Sequence, residues 1–556
     1  MLLPEPHPAR PRAPASATLS HEAVGFALVL AAGALLLFAG LGERDLWSPD
    51  EPRYGAIAEE LRSFVHGFRG LVLLHSNGEV YTQKPPLYFW LAALAGAPGG
   101  RVTELAARVP SALAGLGTLL AVGWLGRSMF RAPTALLAPA VLLGVQGWLQ
   151  HARSARLDAL LTLFVTLAFA AAWRIDRGGD ARRGRLLLHA AIGLGILTKG
   201  PVALVLPLLG VLAYLAWERR LATFGRFVSR EALLLSLAPG VAWWAGAAAL
   251  APPGYADASL GENLFGRFFS GTAHATPAAY YLEALPRAFL PWTLLWPAIG
   301  WRYLTLRRAA ARTAELRAWR FVLAALAAAL VFFSLSAGKR SVYLLPLHPL
   351  LALACGAVLA EWLARGASAP RWSGRALAAV GVAVGAAALA SLGRDRVGEV
   401  ELPAAFGLVL AVGSALMLFL PRLLPSGLTE RGALVAAAFC GLFMLELAVN
   451  AALYSALDVR NSPRALAATA AAATSPGGTI AVYRNDTLAA AIAYYVGRPV
   501  RDLRRPRDVA AFVAQGGATV VVDERRSDEL AGAAQLRRVA EGRVRQRRFQ
   551  VLVPAG

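Results

Sequence analysis

Charge is scarce in this chain. Only 16% of its 556 residues are Asp, Glu, Lys or Arg, against 57% hydrophobic. That balance excludes a large soluble globule, which would need a polar surface these residues cannot supply. Cysteine is scarcer still: Cys355 and Cys440 lie inside apolar segments, without metal-ligand or CxxC spacing. They read as buried small hydrophobes and do not reveal the redox compartment. No glycine-rich nucleotide-binding motif and no internal repeat occur. The net charge of +22 comes from short arginine clusters between apolar runs. No basic surface interleaved with aromatics and no nucleic-acid module accompanies it, so nucleic acid is excluded as a partner.

What is abundant is apolar length. Val24 to Leu41, Leu157 to Trp173, Val202 to Trp217 and Phe321 to Leu335 are each close to the ~20 residues that cross a bilayer core. The first run follows a charged, proline-rich tail and has no clear small-residue cleavage site, so it reads as a retained first span. Taken in order, the runs predict an all-α polytopic membrane protein of about 13 spans, surrounded by membrane lipid. Their centres lie near Leu30, Leu113, Leu142, Val165, Ile192, Leu208, Ala242, Leu295, Leu326, Leu350, Val382, Val412 and Phe443.

The connections alternate in charge. One set holds Arg127/Arg131, Arg174 to Arg185, Arg219 to Arg230, Arg302 to Arg320, Arg365 to Arg375 and Arg422/Arg431, together with Arg10 and Arg12 of the tail. Arginine-rich loops mark the cytoplasmic side. The opposite set holds the unusual polar groups. It comprises a first loop of about 42–103, short turns with Asp158 and Lys199, a large loop of about 251–286, and the turn at Lys339/Arg340. An odd number of spans puts the C-terminal tail there too. In that tail, residues 458–556, short β-branched runs such as Thr479 to Tyr483 and Ala518 to Asp523 alternate with helix-like stretches. The expectation is a membrane domain over 1–457 and a small α/β domain over 458–556.

Five short elements share the outer face. Trp47-Ser-Pro-Asp-Glu-Pro-Arg-Tyr follows the first span directly, with Asp50/Glu51 at a helix start where anions are favoured. Tyr81-Thr-Gln-Lys-Pro-Pro precedes an apolar stretch, Leu87 to Ala97, too short to span. Arg156-Leu-Asp158 starts one span, and Thr198-Lys-Gly-Pro ends another. Gly338-Lys-Arg-Ser-Val-Tyr343-Leu-Leu-Pro346 repeats the pattern of cation, tyrosine and proline. Each alone could be a helix cap, a solvated acidic start or a snorkelling cation. Gathered on one face, two carboxylates, several cations and a tyrosine suit a reaction that breaks a sugar–phosphate bond.

Asp50-Glu-Pro-Arg-Tyr54, Lys84-Pro-Pro, Arg156-Leu-Asp158, Thr198-Lys-Gly200 and Lys339 to Pro346 resemble the membrane glycosyltransferases of the aminoarabinose-transferase and protein-mannosyltransferase superfamily. The likeness is strongest to the bacterial enzymes that modify lipid A. Two positions depart from those enzymes: Gln83 stands where a glutamate is usual, and Gly55 where an alanine is usual. The resemblance implies a GT-C fold and an inverting transfer from a polyprenyl (undecaprenyl) phosphate-sugar donor at the periplasmic face of the inner membrane. It implies lipid A or another envelope molecule as acceptor, with the sugar open and a divalent metal neither required nor excluded.

Within that frame Lys84, Lys199, Arg267 and Tyr343 are assigned to the carrier phosphate, Arg267-Phe-Phe matching a family element. Asp50 is assigned to activating or orienting the acceptor, and Asp158 to a second contact with acceptor, sugar or cations. Glu51, Arg53, Tyr54, Tyr81, His274 and Lys339 are expected to support them. A protein O-glycosyltransferase of the same superfamily is the nearest alternative. A transporter would place its charges near the membrane midplane, often in repeated halves, and a non-catalytic envelope-assembly subunit would share the fold without turnover.

Overall fold

The computed structural model describes residues 15–270, 276–277, 279–309, 313–365, 396–397, 400–401, 430–530, 532 and 534–555. Most of this is helix, and five helices are long and apolar enough to cross a membrane: Glu104–Met129, Asp158–Asp176, Arg230–Leu250, Ala314–Leu335 and Ser341–Ala364. Their ends are set locally. The Thr103 and Thr313 hydroxyls accept from Ala106 N and Leu316 N, with Glu104 and Glu315 in the first turns, as capped N-termini favour. Asp180 caps Ala181–Lys199 in the same way.

These helices pack closely. A Cβ added at Gly356 would meet Ala138 N at 2.7 Å, so only glycine lets Ser341–Ala364 approach Thr134–Leu143 this tightly. Buried alanines, leucines and Trp148, Trp173 and Trp319 fill one continuous core.

Three expectations change. The segment around Leu295 is not one span: Tyr280–Ala288, a single turn Trp292–Leu295 and Trp296–Arg308 follow one another. Pro286, Pro291 and Pro297 remove the amide donors an unbroken helix would need. The helix at Leu142 covers only Thr134–Leu143 before a break and a second short helix, Gln146–Ala152. Cys355 is buried as expected but Cys440 is exposed, beside an apolar groove that it lines with Leu28 and Leu36. The expected centres at Val382 and Val412 lie outside the described residues.

The C-terminal region forms one five-stranded sheet from β1 (Ile480–Tyr483), β2 (Arg501–Leu503), β3 (Thr519–Asp523), β4 (Leu536–Val544) and β5 (Arg547–Pro554), in the order β2-β1-β3-β5-β4. β1 pairs parallel with β2 and β3, while β5 runs antiparallel to β3 and β4. Every residue of β1 and β3 is buried, because helices cover the parallel part of the sheet.

This sheet domain sits on the first loop. Asp458 accepts from Asp45 N (3.0 Å) and Trp47 Nε1 (2.5 Å). Tyr495 Oη accepts from Leu46 N at 2.8 Å, and Tyr494 Oη donates to Val102 O at 2.8 Å. Gly55 explains its departure from alanine here: a Cβ would meet the Tyr494 ring and the Leu46 side chain at 2.9 Å.

Candidate active site

Asp50 opens the helix Asp50–Arg62 beside the end of the first apolar helix. Its carboxylate lies 3.1 Å from Arg156 and 3.5 Å from Arg53. Asp158, the first residue of Asp158–Asp176, is ion-paired with Lys199, the last residue of Ala181–Lys199. The Lys199 ammonium also lies 5.2 Å from the centre of the Tyr343 ring. Loops more than a hundred residues apart in the chain thus converge on one small cavity of about 130 Å³. Asp50, Arg53, Tyr54, Gln83, Lys84, Arg156, Asp158, Lys199, Arg340 and Tyr343 line it.

The charges do not cancel. Five cations face two carboxylates across this lining. A lining richer in cations than in carboxylates suits an anionic group. Burial works against the Arg156 charge, but Asp50 and then Asp158 more than offset it and hold the guanidinium above its ordinary pKa. A second cavity of about 370 Å³ shares Gln83, Lys84 and Lys199 with the first. It continues between Leu204, Leu237, Val241, Trp243 and Trp244, an almost wholly apolar wall. A charged pocket and an apolar groove therefore adjoin across Gln83, Lys84 and Lys199, an arrangement that suits a phosphate at the end of a lipid chain.

Beside the cavity lies a second polar cluster of another kind. Glu51 is 2% exposed and Arg108 is 0% exposed. The Glu51 carboxylate accepts from Arg44 (2.8 and 3.2 Å), Arg108 (3.2 and 3.4 Å), Trp47 N (2.9 Å) and Ala155 N (2.7 Å). Arg108 spends its remaining donors on the carbonyls of Leu41, Arg44 and Asp45. Burial alone would raise the Glu51 pKa, but Arg108 and then Arg44 overcome it and hold the carboxyl well below its ordinary range. The cluster ties the first loop, the helix Glu104–Met129 and the turn carrying Arg156 into one knot, and so sets where Asp50 and Arg156 meet.

Of the expected residues, Asp50, Arg53, Tyr54, Lys84, Asp158, Lys199 and Tyr343 line the cavity. The remaining expected residues stand around it. Glu51 is the centre of the buried knot beside Asp50. Tyr81 stands behind Arg53, its ring 5.7 Å from that guanidinium. Lys339 turns away and donates to the carbonyls of Ser336 (2.6 Å) and Thr276 (3.1 Å). Lys199 lines the cavity and is ion-paired with Asp158, the contact to a cation that was one of the roles expected of that carboxylate. Arg267 belongs to the helical segment Asp257–Ser270, but its side chain and His274 lie outside the described residues.

Arg156 and Arg340 were missed as lining groups. Both sit inside quoted motifs, and the signal was their adjacency to Asp158 and Lys339. Lysine usage was a second signal. Among 56 basic residues only Lys84, Lys199 and Lys339 are lysines, and all three fall at this face. Among the described residues, no group of three or more His, Cys, Asp or Glu is placed to hold a metal ion.

The family model for dolichyl-phosphate-mannose-protein mannosyltransferases matches residues 25–251, the stretch that carries Asp50, Lys84, Asp158 and Lys199. Over 398 residues the chain is 34% identical to an undecaprenyl phosphate-alpha-4-amino-4-deoxy-L-arabinose arabinosyl transferase of Pseudomonas paraeruginosa, covering 70% of this chain and 69% of that one. The chain belongs to this family. It is also 34% identical over 327 residues to arabinosyl transferase 1 of Pseudomonas fluorescens, covering 57% of this chain and 54% of that one. Several of the curated relatives it matches are thus spanned over only about half to two thirds of their length. The crystal structure of ArnT from Cupriavidus metallidurans bound to undecaprenyl phosphate superposes with a TM-score of 0.75 at 22% identity, covering 98% of this chain and 99% of that one. The shared fold is the GT-C fold that the motifs implied.

Proposed function

We propose that this protein transfers a glycosyl group from a polyprenyl-phosphate donor to an envelope acceptor, lipid A or a related lipid, at the periplasmic face of the inner membrane. The transferred sugar is of the aminoarabinose class named for its relatives. About 13 spans carry the chemistry, and the tail from 458 onward is a periplasmic α/β domain. The observation that carries this reading is the cationic pocket lying against an apolar groove, with Lys84 and Lys199 lining both.

In the reaction the acceptor oxygen attacks the anomeric carbon from the side opposite the phosphate. The carbon–oxygen bond to the carrier breaks, and its electron pair stays on the phosphate. Negative charge therefore grows on the leaving oxygens, and fixed cations there stabilise the transition state more than the ground state. Lys84 and Arg340 face that position, Tyr343 offers a hydroxyl donor, and Lys199 is held in place by Asp158. Asp50, braced by Arg156 and Arg53, orients the acceptor. It takes a proton if the acceptor is a hydroxyl, and acts by charge and position alone if the acceptor is a phosphate.

The test is release of free polyprenyl phosphate by purified protein supplied with donor and acceptor. Mass spectrometry of envelope lipids and glycoproteins from a deletion strain identifies the group and its acceptor together. A fixed mass missing from glycoproteins rather than lipids would move the protein to the O-glycosyltransferase branch. No mass change and no released carrier would refute the reading.

A further inference from the structure

A separate cleft of about 630 Å³ lies where the C-terminal sheet domain meets the first loop. Ser48 and Pro49 form one wall, and the next residue, Asp50, faces the charged cavity. On the other wall Thr487 accepts from Arg53 Nη1 at 3.4 Å, and Arg53 also lines that cavity. The two spaces therefore adjoin at two points, both beside Asp50.

The cleft's charged lining is Arg460, Arg545 and Arg547, with no carboxylate among the lining residues. Arg547 lies 3.6 Å from Asp523. Among the described residues, no carboxylate comes within ion-pair distance of Arg460 or Arg545. A backbone hydrogen bond from Arg545 N to Arg460 O sets these two arginines side by side. Arg545 occupies the turn between β4 and β5 at φ 57°, a left-handed position where glycine sits with less strain. Asn461, Asn485 and Gln546 add amide donors and acceptors. The size falls in the range of ligand clefts, roughly 300–1,000 Å³, and the polar lining does not suit a polyprenyl tail.

Resting on the transferase reading, we propose that this cleft receives the phosphorylated sugar head group of the acceptor. Arg460 and Arg545 hold its phosphate, the amides hold its hydroxyls, and the reacting oxygen passes Pro49 to reach Asp50. Guanidinium groups form paired, charge-assisted hydrogen bonds to phosphate, which is the recognition this lining provides. It deepens the site by separating acceptor recognition from donor recognition.

Equilibrium binding to the full chain in nanodiscs, without donor, tests this. The ligands are lipid A, enzymatically dephosphorylated lipid A, inorganic pyrophosphate and an aspartate-rich peptide. The proteins are wild type and the Arg460→Gln/Arg545→Gln double variant, both also titrated with polyprenyl phosphate. Each lost arginine–phosphate contact should weaken lipid A binding roughly 10-fold. The affinity for dephosphorylated lipid A should be low and equal in both proteins, and that for polyprenyl phosphate unchanged. Equal lipid A affinity in wild type and variant overturns the proposal, as does an equal loss for the dephosphorylated form. Pyrophosphate bound as tightly as lipid A would reassign the cleft to free phosphate, and preferred binding of the peptide would reassign it to protein. Both outcomes overturn the head-group assignment. Failure of wild type to bind polyprenyl phosphate would strike the transferase reading, while the comparison of lipid A affinities would still decide the cleft.

Discussion

Asp50 and Glu51 are neighbours in the chain, yet they end in opposite kinds of site. Glu51 is sealed among Arg44, Arg108 and two backbone amides, and nearly every polar atom around it is paired. Asp50 faces a cavity in which cations outnumber carboxylates and a lipid-shaped groove begins. The helix turn sends adjacent side chains about 100° apart, so one points into the packing between helices and the other into open space. Charge compensated within the protein builds architecture. Charge left in excess marks where a ligand completes the structure.

Removing charge from each neighbour should therefore fail differently. Glu51→Gln leaves Arg108 buried without its counter-charge, and breaking a buried pair costs about 3–5 kcal/mol. The expected result is loss of folded protein, read as a large drop in detergent-solubilised, monodisperse yield and in thermal midpoint. Asp50→Asn should keep yield and midpoint while lowering transfer by roughly 10²–10⁴-fold. If Glu51→Gln folds normally and Asp50→Asn does not, the roles of the two carboxylates are exchanged.

A smaller effect sharpens the cavity side of the comparison. Lys84→Ala should weaken polyprenyl-phosphate affinity by roughly 10-fold, and Lys84→Arg should restore part of it with altered geometry. Donor-lipid titration in nanodiscs reads this. Unchanged affinity in the folded alanine variant would return Lys84 to a snorkelling role.

The least effect lies outside both clusters, in the first loop. The rings of His66 and His75 stack at 3.7 Å. Burial, and then the neighbouring His66, lowers the His75 pKa from 6.5 to about 4. Between those values the unfolded loop takes up a proton that the folded loop resists, so stability falls as pH drops from about 6.5 to 4 and is flat above. His75 is partly exposed, so screening keeps the effect below about 1 kcal/mol. Hydrogen exchange of residues 66–80 against pH measures it, and His75→Asn should flatten the profile.

Much of this was legible in the sequence because the bilayer imposes a length. Apolar runs such as Leu157 to Trp173 became helices, and β-branched runs such as Thr519 to Val522 became buried strands. Where proline interrupts a run, as around Pro291, composition alone suggested a span that the backbone cannot make unbroken. The site was legible as a set of motifs on one face, but motifs do not carry side-chain direction. Lys199 and Lys339 stand in similar patterns, yet one enters the cavity and the other binds carbonyls. Arg108, a full turn inside the helix Glu104–Met129, was the overlooked sign of a buried partner. The arginines beneath the sheet domain left no local pattern, since Arg460 and Arg545 meet only through tertiary packing.

The central claim is that Asp50 and the cations around it break a bond between a sugar and a lipid phosphate. Its most direct measurement is the amount of free polyprenyl phosphate released per acceptor modified, by purified wild type and by folded Asp50→Asn. The account predicts one carrier released per sugar transferred in wild type, and neither product above background in the variant. Equal release by both proteins, or transfer without release of the carrier, would contradict it.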